Sequence, residues 1–246
     1  MKWLYLGINV FTVLIPLVFS FHPKIRFHLF FRETLGAISI SAVIFIAWDM
    51  LFTSMGVWGF NPDYLTGIYV FHLPIEEILF FITVPYACLF TYYCMNTFFH
   101  MHWTHSAEQV FVLVTAAALM ITGLLYYDRL YTSVSFISLS LLLLVLKYIM
   151  RVTWLAGFVL IYPLVLIGFF LVNGILTGML TPEPVVFYND NENMGIRLWT
   201  IPVEDVFYGF ELILLNVFWF EYAKRLKGTW HNLSLWVKAS GAGRSE

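Results

Sequence analysis

Apolar residues in this chain fall into seven long blocks separated by short polar stretches. They predict helices at about 3–21, 34–53, 73–97, 109–127, 132–150, 154–180 and 200–222. Each is close to the roughly 20 residues needed to cross the hydrocarbon of a bilayer. The expected fold class is therefore all-α: a polytopic integral membrane protein of about seven transmembrane helices. The first block follows Met1-Lys2 directly and is too long for the apolar core of a typical signal peptide. No small-residue cleavage site follows it, so it is read as a first span.

The basic residues orient these spans. With the N-terminus outside, the inner segments hold Lys24, Arg26, Arg32, Lys147, Arg151, Lys224, Arg225, Lys227, Lys238 and Arg244, and the outer segments only Lys2, Arg129 and Arg197. That asymmetry predicts a cytoplasmic C-terminus in a cell (cytoplasmic) membrane. The two longest outer loops, about 54–72 and 181–199, carry Gly, Asn, Asp and aromatic residues and read as lids over one face.

The polar residues that interrupt this apolar background repeat. Leu73-Pro74-Ile75-Glu76-Glu77 and Ile201-Pro202-Val203-Glu204-Asp205 lie 128 residues apart, each opening an apolar run. Helices one to three then correspond to helices five to seven, a parallel repeat about an axis along the membrane normal. The expected units are 1–108 and 128–228, with 109–127 as a connector helix and 229–246 as a cytoplasmic tail. Pro74 and Pro202 suit a first helical position, where a missing N–H has no partner to lose. Acids in the turn that follows complement the helix dipole, which is the plain structural reading of one such phrase. Two copies at one face point instead to a site built from both halves.

Other residues converge on that face. Asp49 follows Trp48 near the outer end of helix two, and Asn173 occupies a comparable depth on helix six. Glu204, Tyr208 and Glu211 share one face of helix seven by their i, i+4, i+7 spacing. An ionisable residue inside a span is a functional candidate by default. Carboxyls that converge in a low-dielectric site cannot all ionise. One stays protonated as an acid while a neighbour stays ionised as a base. Aromatics make up 20% of the chain, and Trp48, Trp58, Phe80, Phe81, Trp199 and Tyr208 lie near these acids. Their faces can stabilise a passing cation.

Composition removes other classes. The 246 residues are 61% hydrophobic and only 11% charged, where a soluble domain carries about 25% charged residues. A net charge of −2 gives no hint of nucleic acid as a partner. Cys88 and Cys94, six apart in one apolar run, match no zinc or redox spacing and read as packing residues. His100, His102 and His105 form one small cluster on the face opposite the acids and read as a loop. No G-x-G-x-x-G follows a strand, and Asn189-Asp190-Asn191-Glu192-Asn193 lacks the length and glycine of an EF-hand loop. Neither a cofactor nor a metal is expected.

The Pro-x-Glu-(Glu/Asp) pair, Trp48-Asp49 before its first copy, and Asn173-Gly174-Ile175-Leu176-Thr177 before its second resemble one known family. These are the membrane-embedded lycopene cyclases, found as two small subunits or one fused chain and, in fungi, joined to a phytoene synthase. The resemblance covers nearly the whole chain and matches the fused form. It implies a redox-neutral isomerisation of the linear ends of lycopene to β-rings, giving β-carotene through γ-carotene. It places Pro74, Glu76, Glu77, Pro202, Glu204 and Asp205 in the site. Within that set Glu77 or Glu204 is expected as the acid and their neighbours as base or proton reservoir. Trp48, Asp49, Asn173, Tyr208 and Glu211 stand as supporting or cation-stabilising residues. The implied partners are lycopene and related carotenoids, membrane lipid and other carotenoid-pathway enzymes. Two alternatives remain open: a cyclase of another polyene (C50 or ε-type), and a proton-coupled transporter, which would also show repeated halves and membrane acids.

Overall fold

The computed structural model describes residues 2–99 and 104–242, with side chains described as far as Gly228. His100 and His102 fall outside the described residues, and His105 opens α4, where its ring bonds Gln109. The expected tail at 229–246 lies beyond the described side chains, and 243–246 lie outside the described residues altogether.

Among the described residues seven α-helices form the body: α1 (Leu4–Phe19), α2 (Phe31–Ser54), α3 (Ile75–Phe98), α4 (His105–Leu125), α5 (Leu130–Leu144), α6 (Leu155–Leu176) and α7 (Val203–Ala242). A π-helical turn, Val145–Ile149, extends α5. Five helical stretches are long and apolar enough to cross a bilayer: Phe27–Met55, Ile75–Phe98, His105–Leu125, Leu130–Ile149 and Leu155–Leu176. The chain is thus a multi-pass membrane protein. α1 is shorter, and α7 carries acids at its start and bases beyond Tyr222. That helix runs past the expected end because apolar patterning marks where hydrocarbon stops, not where hydrogen bonding stops. Lys224 there pairs with Glu221 at 2.8 Å, and Lys227 with Glu33 of α2 at 2.9 Å.

α3 and α7 meet at the centre of the bundle. α1 packs along α3, α5 packs along α7, and α2 lies closely against both central helices. α6 approaches the same two helices far more loosely. The shared core includes Phe45, Phe81, Leu89, Phe158, Leu212, Val217 and Phe220. α4 packs outside on α5, where Gly123 lets the backbones close: a Cβ there would stand 2.8 Å from Ile137. Ser140 Oγ reaches across the same contact to the Ala116 carbonyl at 2.7 Å, in keeping with small and polar residues as the glue between apolar helices.

Strands of two or three residues, absent from the expected pattern, organise the loops at the acid end. β1 (Trp58–Phe60) pairs antiparallel with β4 (Val186–Tyr188), in register Trp58↔Tyr188, Gly59↔Phe187 and Phe60↔Val186. Positions 128 apart therefore exchange places about the centre of this ribbon. Its flanking bonds match as well: Asn61 N–H to Val185 O at 2.8 Å, and Asn189 N–H to Val57 O at 2.9 Å. Each Asn side chain then accepts from the backbone two residues on, from Asp63 and from Asn191, at 3.1 Å in both. The two lids are thus one joined cap.

Two further hairpins lead into the acid phrases. β2 (Tyr69–Val70) pairs with β3 (Leu73–Pro74), and β5 (Arg197–Leu198) with β6 (Ile201–Pro202). Both turn tips hold an exposed aromatic at positive φ, Phe71 at 55° and Trp199 at 58°. Pro74 has extended ψ and closes β3, so α3 starts one residue later than its sequence suggests, with Pro74 as N-cap. A proline fits there because the end of a two-stranded ladder asks for no donor.

At the opposite end of the bundle, Lys147 and Glu108 form a buried ion pair at 3.0 Å between the π turn and α4. Removing one partner strands the other charge out of water. Lys147→Met should therefore cost about 3–5 kcal/mol of stability, and Glu108→Gln with Lys147→Met together markedly less. Thermal unfolding in detergent checks this; equal melting temperatures for single and double variants would refute it.

Candidate active site

The helix starts fix the first acids. Glu76 and Glu204 are fully buried and do the same work in each loop. Glu76 Oε1 accepts the Thr66 N–H at 2.6 Å, and Glu204 Oε1 the Met194 N–H at 2.7 Å. The adjacent bonds Ile75 N–H to Ile68 O and Val203 N–H to Ile196 O are both 2.9 Å. Thr132 Oγ1 adds a bond to Glu204 at 2.6 Å, and Asn9 Nδ2 one to the Glu76 carbonyl at 2.9 Å. These two glutamates tether the incoming loop to the helix start. Neither borders the cavity described next.

The next residue in each phrase turns the other way. Glu77 and Asp205, with Asp49 of α2, line one end of a cavity of about 550 Å³ between α1, α3, α6 and α7. Tyr5 of α1 donates to Glu77 Oε2 at 2.5 Å. Tyr131 of α5 donates to Asp205 Oδ1, while Asp205 Oδ2 accepts from Asn173 at 3.1 Å and from Tyr188 at 2.8 Å. Asp49 Oδ1 accepts from the Trp58 indole and from Thr53 Oγ1 at 3.3 Å. Its Oδ2 is buried with no partner among the described residues, and so is the Tyr208 hydroxyl.

The cap closes this end. Tyr188 and Trp58, the paired ends of the ribbon, supply donors to two of the three acids. Burial, then the neighbouring Asp205, push the Tyr188 phenol well above its usual range, so it stays a donor. At the exposed rim Arg197 bonds Asp190 at 2.6 Å and holds that carboxyl below its usual range. Aromatic faces crowd the acids: Trp58 and Tyr131 have ring centroids 5.1 Å apart, Tyr131 and Tyr188 stack at 5.9 Å, and Tyr208 meets Trp48 edge-on at 5.2 Å. The rest of the wall is almost wholly apolar and runs from Glu77 to Thr91 along α3, about 21 Å at 1.5 Å per residue. The arrangement combines proton donors and acceptors, packed aromatic rings and a long, mostly apolar slot.

A family model described as lycopene cyclase matches residues 2–95 and 128–223. The chain belongs to the lycopene cyclase family. No curated protein and no solved structure matches it. The family makes the chain an enzyme of carotenoid cyclisation, with a carotenoid as substrate, and the slot suits such a substrate in shape and polarity.

Of the residues singled out from the sequence, Asp49, Glu77, Asn173, Asp205 and Tyr208 meet at the cavity of this cyclase. Trp48 stands behind Tyr208, while Pro74 and Pro202 are buried at the helix starts outside the cavity. Glu211 faces α5, where Ser138 Oγ donates to it at 2.8 Å, and does not border the cavity. The sequence reading passed over Tyr5, Tyr131 and Tyr188. The first two had a usable signal: each opens the helix that begins its stretch, as Leu4-Tyr5 and Leu130-Tyr131.

Tyr5→Phe and Tyr131→Phe each remove one hydrogen-bond donor from a cavity carboxyl. Each should lower the cyclisation rate about twofold to a hundredfold, equivalent to the roughly 0.5–3 kcal/mol spanned by bonds to neutral and to charged groups. Initial rates in membranes containing lycopene check this; unchanged rates in both would show that these hydroxyls only pack.

Proposed function

We propose that this enzyme converts the linear end groups of lycopene to β-rings by carboxylic acid/base catalysis. The observation that carries the reading is the convergence of Asp49, Glu77 and Asp205 on the capped end of an otherwise apolar slot. A proton adds to C2 of the terminal double bond and leaves the positive charge on C1. The C5–C6 double bond attacks C1, which forms the C1–C6 bond and moves the charge to C5. Loss of the C6 proton makes the ring double bond. One proton enters and one leaves, no electrons are gained or lost, and the product is an isomer of the substrate.

Asp205 is the base in this scheme. Three donors occupy its oxygens, which suits a group that only accepts. Glu77 is the acid: Tyr5 engages Oε2 and leaves Oε1 to carry a proton. After each ring the proton must return from base to acid, and Asp49, with its uncommitted Oδ2, is the intermediate station. Trp58, Tyr131 and Tyr208 bring aromatic rings, whose faces attract a cation, around the charge as it forms. Glu76 and Glu204 hold the cap in place rather than exchange protons.

The repeat belongs to the same proposal: 1–108 and 128–228 as equivalent halves, 109–127 as connector and 229–246 as a cytoplasmic tail. The recurrence of loop bonds at a separation of 128 residues, and the two stretches matched by the family, support it. The distribution of basic residues supports an N-terminus outside and a cap on the outer face of the cytoplasmic membrane.

The test is pigment chromatography from a lycopene-accumulating bacterial host. Wild type should yield β-carotene and γ-carotene. Glu77→Gln and Asp205→Asn should each lose about 10²–10⁴-fold in rate, the usual worth of a general acid or base. Glu76→Gln and Glu204→Gln should keep measurable conversion but lose about 1–3 kcal/mol of stability through a weakened buried bond. Should Glu204→Gln abolish turnover with its melting temperature unchanged while Asp205→Asn is active, the two roles are reversed.

A further inference from the structure

The buried positions of α2 and α6 superpose at a separation of 124 residues. Ala37, Ile38, Ser41 and Phe52 correspond to Ile161, Tyr162, Val165 and Leu176, all of them buried, and Asp49 corresponds to Asn173. α3 and α7 correspond at 128, as the acid phrases do. A slot equivalent to the observed one would therefore lie beside α2. That space is filled. Trp48 stands where α6 has Val172, and it packs on Phe45, Phe52 and Tyr208. Phe81, fully buried, stands where α7 has Gly209. On the α6 side Val172 and Gly209 line the open slot, and a Cβ on Gly209 would already press Phe169 at 3.2 Å. Two aromatic rings thus close one half of the frame, and a valine and a glycine leave the other open.

The open slot has a side exit. Phe11 of α1 and Leu164 and Leu171 of α6 line it, yet are 75%, 43% and 67% exposed, so the wall between these two helices gives onto their outer surface. α1 and α6 barely touch. In a multi-pass bundle that surface faces hydrocarbon. Gly168 sits on the same rim, lines the slot, and has nothing within 4 Å of the place a Cβ would occupy.

We propose that a linear polyene enters sideways from the lipid between α1 and α6, one end at a time, and that the half-cyclised product backs out into the membrane before its second end is processed. This rests on the reading of the slot as the cyclisation site. With one capped slot among the described residues, the far end of the polyene remains in the portal or in lipid while the first ring forms. An extended polyene cannot turn round inside about 550 Å³. The second ring requires withdrawal and reinsertion.

Filling the portal tests the route. Gly168→Trp should lose at least tenfold in both binding and cyclisation of lycopene. Ile167→Trp, one position round the helix on an exposed face that does not line the slot, should be unaffected. Binding is read as circular dichroism induced in the polyene band, in a Glu77→Gln background that slows turnover; conversion is read in the unmodified background. Leu171→Trp provides a second rim variant should Gly168→Trp melt early. Release is tested by converting deuterated lycopene in the presence of excess unlabelled monocyclic product. Dilution of the label in the bicyclic product is expected, and undiluted passage of label into it would overturn the one-end-at-a-time scheme. Equal binding by wild type and both rim variants would overturn the route while leaving the cyclase reading intact. No binding of lycopene by wild type would defeat the cyclase reading itself.

Discussion

A carboxylate inside an apolar bundle must be met by donors, because hydrocarbon offers none and an unpaired buried charge costs several kcal/mol. Much of the acid end of this protein follows from that constraint. Glu76 and Glu204 draw backbone N–H groups of the preceding loops onto the helix starts. The loops so anchored are bridged by the β1–β4 ribbon, and the ribbon carries Trp58 and Tyr188 over Asp49 and Asp205. The acids of the phrases and the cap over them therefore depend on one another. The first acid of each phrase builds the lid, and the second is covered by it.

The proposed frame of two equivalent halves raises a chemical difficulty that the side chains resolve. An acid and a base must differ, whereas equivalent carboxyls in equivalent surroundings would share one behaviour. Here the departures from equivalence sit where they matter. Asp49 corresponds to Asn173, so one half brings a carboxyl where the other brings a neutral donor, which bonds Asp205. Glu77 has one tyrosine, while Asp205 has two tyrosines and an amide. Trp48 stands where α6 has Val172, so the two sides of the bundle are not equally open. The backbone hydrogen bonds keep the symmetry, and the substitutions within it supply direction.

How far this was legible in the sequence depended on the kind of signal. Apolar block length marked the seven helices to within a few residues, apart from the C-terminal end of α7, because exclusion from water acts on every residue of a span. The paired acid phrases were conspicuous because charge is rare in such blocks. What the phrases could not reveal was the division of labour inside them. Glu76 and Glu77 are one residue apart, about 100° of helix, and only the path of the loop decides which faces the cavity. The short strands were invisible for the same reason: two or three residues carry no periodicity, and pairing such as Trp58↔Tyr188 joins segments far apart in the chain. Glu211 shared a helical face with Glu204 as its spacing required, but α5 took that face rather than the slot.

The cap also bears on what the proposed chemistry must avoid. A tertiary cation formed beside water would be captured as an alcohol before ring closure. The second double bond must therefore be the nearest nucleophile, and water must be absent. Tyr188 and Trp58 meet both needs with one bond each. By donating to Asp205 and Asp49 they occupy acceptor sites that would otherwise hold water, and their rings seal the slot above the reacting end. Asp205 itself, held by three donors, is a poorer nucleophile toward the cation than a free carboxylate. The hydrogen bonds that make burial of the acids tolerable are thus the same ones that direct the cation toward a ring.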